Sequence, residues 1–293
     1  MTITGEFVRI AGVPHHVVVE GSGPVCVLSA GLAMSWYDWE PVVPLLAPHR
    51  TVVRFDRPGH GLSGPAPVPP TAAGEAHRIV ALLDALGLRN PVTVVGHSIA
   101  GFHAEAFARL HPERAAGVVL VDSSAEPHAR VPAAPAVRTG ATRALGTALA
   151  AAGLPALLGP AVRRAVVRAS RARHAHDPAP TPLVRRTYRT VRVLRGTLLE
   201  NSSYRAVAAE LLALRTTHPL AATLPVTVLA AYDGRATLSA LHWLDLQRDL
   251  ADALAARFEI VPGAGHLLML DRPERVAEAV LCQMSDPRAL MNP

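Results

Sequence analysis

A serine at a strand-to-helix turn, a histidine in a glycine-rich loop and an aspartate at a strand end are residue types that together transfer acyl groups. The serine is Ser98, in Val92-Thr93-Val94-Val95-Gly96-His97-Ser98-Ile99-Ala100-Gly101. The β-branched run reads as a strand and the Ala-rich stretch after it as a helix. A serine on so sharp a turn has its Oγ pushed out of the sheet rim. It stands beside the N–H groups of a helix N-terminus, where negative charge is favoured. An exposed nucleophile and donors for an oxyanion are two requirements of acyl transfer. The hydroxyl is a weak nucleophile until a base takes its proton, and that base must be oriented by a third group.

Among 14 histidines, His266 is the candidate base. It sits in Pro262-Gly263-Ala264-Gly265-His266, a loop that follows a strand-like run and frees the ring to reach across the sheet rim. Leu267, Leu268, Met269 and Leu270 anchor the loop behind it. For the acid, Asp233 lies just past the run Val226 to Ala230, and Asp122 ends the run Val118 to Val121. Asp233 is the first choice and Asp122 the alternative. Asp245 and Asp249 read as surface charges of a helix.

Elements that could hold these residues alternate along the chain. A hairpin is expected over Phe7–Ile10 and His16–Glu20, then strands at Val25–Ser29, Thr51–Phe55, Val92–His97 and Gly117–Val121. A helix-period stretch runs from Ala72 to Leu88, and another follows Ser98. Continuous apolar strands alternating with helices imply an α/β fold, a mostly parallel sheet with helices on both faces. The alternation stops after Asp122 and resumes at Pro225, with a helix near Leu241–Ala256, a strand at Phe258–Val261 and a last helix from Pro273 to about Met284. Residues 1–125 and 223–293 are therefore read as two parts of one core, and 126–222 as an inserted helical cap.

Charge marks the same boundary. All 29 basic residues are arginine, and residues 130–215 hold 15 of them against three acids, Asp177, Glu200 and Glu210. The remainder holds 14 arginines against 20 acids. Such a segment suggests an acidic carrier protein or an anionic substrate, although solvated surface arginine is the plainer reading. It lacks the interleaved aromatics of a single-strand nucleic-acid platform, so nucleic-acid binding is not expected. Ala144 to Val162 is uncharged but interrupted by glycine and proline, which argues for a broken helix over the cleft and against a transmembrane segment. A lid face touching lipid or an acyl chain is the minor reading. Cys26 and Cys282 match no metal motif or disulfide framework, and Met1 to Ile10 shows no secretory pattern, so a cytoplasmic location is the default. No metal site and no cofactor is expected.

Gly96-His97-Ser98-Ile99-Ala100 resembles the Gly-x-Ser-x-Gly nucleophile elbow of the α/β-hydrolase family, with Ala100 in the fifth place and Gly101 one step on. The phrase around His266, Gly-His followed by Asp271 and Pro273, is similar to that family's histidine loop, and Ser98, Asp233, His266 is the family's chain order. The resemblance covers about residues 5–125 and 222–286. It implies an oxyanion hole from the backbone N–H groups of Leu32 and Ile99, although Ala30-Gly31-Leu32 stands where the family usually has His-Gly. It implies a structural turn at Asp56-Arg57-Pro58-Gly59-His60-Gly61-Leu62-Ser63 that braces that loop. Gly31, Trp36 and His97 are pocket candidates, with His97 more in keeping with scaffold. The function implied is a serine hydrolase acting on a small or medium ester through an acyl-enzyme. Thioester hydrolysis, C–C cleavage and acyl transfer with the same residues are alternatives, as is a weakly or non-catalytic ligand-binding protein. The epoxide-hydrolase and dehalogenase branches resemble the chain around Ser35 to Trp39 but carry an aspartate at the elbow, where this chain has Ser98.

Overall fold

The apolar runs form one eight-stranded sheet in the order β1-β2-β4-β3-β5-β6-β7-β8. The strands are β1 (Glu6–Ile10), β2 (Val13–Glu20), β3 (Val25–Ser29), β4 (Thr51–Phe55), β5 (Val92–His97), β6 (Ala115–Val121), β7 (Val226–Tyr232) and β8 (Arg257–Pro262). The computed structural model describes residues 4–283. The β1–β2 hairpin is antiparallel and β2 joins β4 antiparallel, while β4, β3, β5, β6, β7 and β8 run parallel. Parallel strands share one direction, so the residues that follow β3, β5, β6, β7 and β8 all emerge at one rim.

The continuous apolar runs are buried on both faces, as such strands require. Val27, Val94, Val118, Leu120 and Val228 pack into one core and Cys26, Leu28, Val95, Val119 and Leu229 into the other. The first core is closed by helices α2 (Ala72–Ala85) and α3 (Ala100–Leu110), the second by α1 (Val43–Leu46), α9 (Leu268–Asp271) and α10 (Pro273–Cys282). Met284, where the last helix was expected to end, lies outside the described residues.

Between β6 and β7 the chain is helical: α4 (Pro135–Ala151), α5 (Leu154–Ser170), α6 (Thr181–Tyr188) and the long α7 (Val191–Thr217). The uncharged run is broken between α4 and α5 at Gly153, which has φ of 70°. After β7, α8 (Leu238–Ala253) begins three residues before the expected Leu241, because the Thr237 side chain accepts from the Ala240 N–H and caps it.

Ser98 has φ of 55°, a left-handed conformation that costs a non-glycine residue energy. It is held there by three backbone hydrogen bonds: its N–H donates to Val121 O (3.2 Å), and its carbonyl accepts from Gly101 N (2.9 Å) and Ser124 N (3.1 Å). The glycines permit this packing. A Cβ at Gly96 would lie 2.3 Å from the Ala100 carbonyl oxygen, and one at Gly101 would lie 1.8 Å from Ser123 Oγ and 2.7 Å from its Cβ. Gly101, one step beyond the place the motif assigns to glycine, thus allows α3 to approach the end of β6. Gly101→Ala is expected to overpack this contact and lower stability by about 1–3 kcal/mol, read as a reduced chemical-denaturation midpoint. An unchanged midpoint would show that the contact gives way freely.

Candidate active site

At the rim, the tips of β5, β6 and β8 bring three side chains into a line. Ser98 Oγ lies 3.1 Å from His266 Nε2, and His266 Nδ1 lies 2.6 Å from Asp122 Oδ2. With a carboxylate beside Nδ1, that nitrogen carries the proton, which leaves Nε2 free to accept from the Ser98 hydroxyl. Asp122 is buried, with 2% of its side chain exposed. Its other oxygen, Oδ1, accepts from Ala231 N (2.8 Å) and Trp243 Nε1 (2.9 Å). Three donors thus surround the carboxylate, and they hold its direction.

The expected acid, Asp233, is elsewhere, and this corrects the sequence-based choice. Strand β7 continues to Tyr232, two residues past its expected end, and the chain then turns at once. The Asp233 carboxylate folds onto that turn, accepting from Arg235 N at 2.9 Å and facing the Arg235 guanidinium at 3.5 Å. It shares an open cleft of about 690 Å³ with His266 but hydrogen-bonds neither ring nitrogen. Asp122, the alternative, occupies the position instead.

His97 supports the imidazole from behind. Its Nε2–H donates to the His266 carbonyl at 2.9 Å, and the two rings lie 4.8 Å apart. Burial, reinforced by His266, holds the His97 imidazole well below its usual range, so it stays neutral. Gly31 makes room for it, since a Cβ there would be 2.6 Å from His97 Nδ1 and 3.1 Å from Ser98 Cβ. The N–H groups of Leu32 and Ile99 donate to no protein acceptor among the described residues, and Leu32 borders the space above Ser98. Trp36 does not border it. Its ring packs instead against His16 and under Arg54, and its backbone N–H donates to Asp56 Oδ1 at 2.9 Å.

The turn after β4 braces the loop after β3. Arg57 donates to the carbonyls of Ala30 and Gly31, and its Nε and second amino group pair with Glu200 of α7 at 2.8 and 3.0 Å. His60 Nε2 lies 3.2 Å from the same carboxylate. Burial would raise the Glu200 carboxyl, but Arg57 and His60 outweigh it and hold it far below the carboxylate range. Neither Glu200 nor Trp243 carries a local signal in the sequence. Both sit within helices, and only the fold turns them toward the rim.

Above Ser98 is a cavity of about 560 Å³ walled by Leu149, Leu154, Leu158, Val162, Val166 and Val193 among others. One charged group, Arg163, reaches its wall, and that guanidinium is consumed by Asp38 and by Asp177 (3.2 Å). Tyr188, its phenol pushed up to about 12 by burial, stays protonated and donates to Ala33 O at 2.5 Å. The cavity therefore offers an apolar wall with no unpaired charge.

A family profile described as "Alpha/beta hydrolase family" matches residues 26–279. The chain is 31% identical over 269 residues to "Putative carbamate hydrolase RutD" of Caulobacter sp. strain K31, a match that covers 90% of this chain and 91% of that protein. It is 39% identical over 131 residues to "Epoxide hydrolase B" of Mycobacterium tuberculosis, covering 41% of this chain and 35% of the relative. Among solved structures, the enol-lactonase from Burkholderia xenovorans LB400 superposes with a TM-score of 0.66 at 24% identity, covering 96% of this chain and all of the other. The epoxide hydrolase CorEH superposes with a TM-score of 0.72 at 22% identity, covering 97% and 99%. These two likenesses concern the fold.

Because the folded Glu200 carboxyl is depressed, its contribution to stability is complete above the ordinary carboxylate range of about 4.3 and is withdrawn as pH falls below it. Glu200→Gln is expected to lower stability at neutral pH by about 3–5 kcal/mol, since Arg57 loses its buried counter-charge. It should also flatten the acid limb of the stability–pH curve measured by denaturant titration. An acid limb as steep as that of the parent would remove Glu200 from this role.

Proposed function

The chain belongs to the alpha/beta hydrolase family, and on that premise we propose that it is a serine hydrolase that cleaves an apolar carboxylic ester through an acyl-enzyme. The observation that carries this reading is the unbroken hydrogen-bonded line from Ser98 through His266 to Asp122. In the proposed mechanism His266 Nε2 takes the Ser98 proton as Oγ attacks the ester carbonyl. The Leu32 and Ile99 N–H groups receive the oxyanion, and Asp122 stabilises the imidazolium that forms. His266 then returns the proton to the leaving alkoxide. A water, activated by the same nitrogen, attacks the acyl-enzyme and releases the acid. His97 is a positioning residue that holds the His266 backbone and does not itself titrate in the working range.

Electron bookkeeping separates this reading from the epoxide hydrolases among the relatives. Attack of a serine oxygen on an epoxide carbon would leave an ether, which the neighbouring base cannot hydrolyse. A carbonyl substrate leaves an ester, which it can. The helical segment acts in this reading as a cap whose apolar wall selects the acyl side of the substrate.

Ser98→Ala is expected to abolish turnover of an activated acyl ester and covalent labelling by a fluorophosphonate, with the fold unchanged by circular dichroism. Labelling that persists in the variant would place the reactive group elsewhere, and an unlabelled parent protein would favour a ligand-binding role. Asp122→Asn should cut kcat by about 10⁴-fold, the scale for disturbing the acid of such a line, whereas Asp233→Asn should leave it nearly intact. The reverse ranking would reassign the acid. For p-nitrophenyl esters of increasing acyl length, kcat/KM should climb about fourfold per methylene until the cavity is filled. A flat series would show that the acyl group does not occupy it.

A further inference from the structure

The outer surface of the helical segment combines two features that belong together at a lipid–water boundary. The first is an apolar face on α5. Leu157 is 72% exposed, and Leu158, Val162 and Val166 are each more than half exposed. Leu158, Val162 and Val166 also wall the cavity over Ser98, so the apolar lining continues without a polar break onto the molecular surface. On α4, Val137 and Leu145 are exposed as well.

The second feature is charge of a single sign. Each of the three acids in residues 130–215 is turned inward. Asp177 is buried against Arg163, Glu200 is buried against Arg57, and Glu210 accepts from the N–H groups of Ala72 and Ala73 at the start of α2. The arginines divide differently. Arg163, Arg171 and Arg215 are consumed by Asp38, Asp271 and Glu105. Arg138, Arg168, Arg173, Arg185 and Arg186 are exposed and have no ion-pair partner among the described residues. Arg168 stands three helical turns from Leu157, on the same side of α5. Arg185 and Arg186 lie on α6, which packs against α5.

We propose that this face docks on an anionic lipid surface, with the α5 aliphatic side chains entering the acyl boundary and the surrounding arginines meeting the headgroups. Charge complementarity selects the occupant, because the face offers cations only. Its apolar part is leucine, valine and alanine, without the aromatic anchors that characterise the centre of a protein–protein interface. Docking of this kind lies on the membrane and does not cross it. No single helix among the described residues is long and apolar enough to span, and α4 and α5 meet at 103°. Long arginine side chains suit this place, since their stems lie along apolar surface while the guanidinium reaches the headgroups. Resting on the hydrolase reading above, the docked orientation would hand an amphiphile's acyl chain to the cavity directly.

The test is vesicle flotation of the full chain, which reads binding without turnover and so stands or falls separately from the catalytic proposal. Phosphatidylcholine vesicles are compared with equimolar phosphatidylcholine and phosphatidylglycerol. The protein should float with the anionic vesicles, much less with the neutral ones, and should be released progressively as salt rises. Leu157→Asp lies outside the cavity wall, and Arg168→Glu with Arg185→Glu and Arg186→Glu reverses three exposed charges. The triple arginine variant should weaken flotation about a hundredfold or more, at roughly fivefold per surface cation, and Leu157→Asp about tenfold or more, the scale of losing one buried aliphatic side chain, while hydrolysis of a soluble short-chain ester stays at the parent rate. Equal flotation with both vesicle types, or full binding by Leu157→Asp, would overturn the proposal. So would a dimer, seen by light scattering, that Leu157→Asp dissociates, because a second copy would then cover the face. Retention by an acidic protein with no retention by anionic vesicles would overturn it as well.

Discussion

The site depends on holding one histidine at three points at once, two on its ring and one on its backbone. Nδ1 of His266 faces Asp122, Nε2 faces Ser98, and the residue's own carbonyl accepts from His97. Asp122 comes from the tip of β6, Ser98 and His97 from the tip of β5, and His266 from the loop after β8. The arrangement thus needs the parallel strands in register, because displacing β6 against β5 would break one hydrogen bond while keeping another. Both Asp122 and Ser98 have positive φ, 42° and 55°, at these tips. Strain of this sort persists only where the surroundings over-determine the backbone. Here the paired hydrogen bonds of Ser98 N to Val121 O and Asp122 N to Leu229 O do so, at 3.2 and 2.7 Å.

Energetically, the helical segment between β6 and β7 is tied to this rim through buried charge. Arg57 bridges the loop after β3 and α7, and Arg163 bridges α5 and the turn that contains Asp38. A buried ion pair adds little over an apolar contact of the same shape, yet losing one partner is costly because the other charge is left dry. These pairs therefore act more as registration than as glue. The Arg57 pair sets where the Ala30–Gly31 carbonyls point, and so where the Leu32 N–H points. The Arg163 pair neutralises the charge nearest the cavity over Ser98.

How much of this could be read from the chain follows from the range of each interaction. Ser98 and His266 were legible because each is set by its neighbours: a β-branched run, a turn and a helix for one, a glycine loop with an apolar anchor for the other. The parallel sheet was legible for the same reason. The carboxylate beside His266 was not, because Asp122 and Asp233 both follow strands and the groups that hold Asp122 in place are distant in sequence. What separates them is Trp243, 121 positions from Asp122, and the Ala231 N–H, 109 positions away. Asp233 in turn is captured by Arg235, two residues on. Trp36 misled by proximity: it is close to the loop after β3 in sequence, but its backbone N–H is drawn to Asp56 and its ring to His16 and Arg54.

Charge counting along the helical segment gave a correct total and an ambiguous meaning, since it could not say which way the arginines face. An anionic substrate would need an unpaired cation inside, and the inward-facing Arg163 is already matched by two carboxylates. The unmatched guanidinium groups are outside. Segregation of this kind lets one segment present an uncharged wall to the cavity over Ser98 while its exterior carries a strongly positive field. A field of that sign, screened within about 8–10 Å at physiological salt, acts on large anionic surfaces and hardly at all on a neutral molecule inside the cavity. Under the two proposed readings, selection of the surface and selection of the substrate fall to different parts of the helical segment.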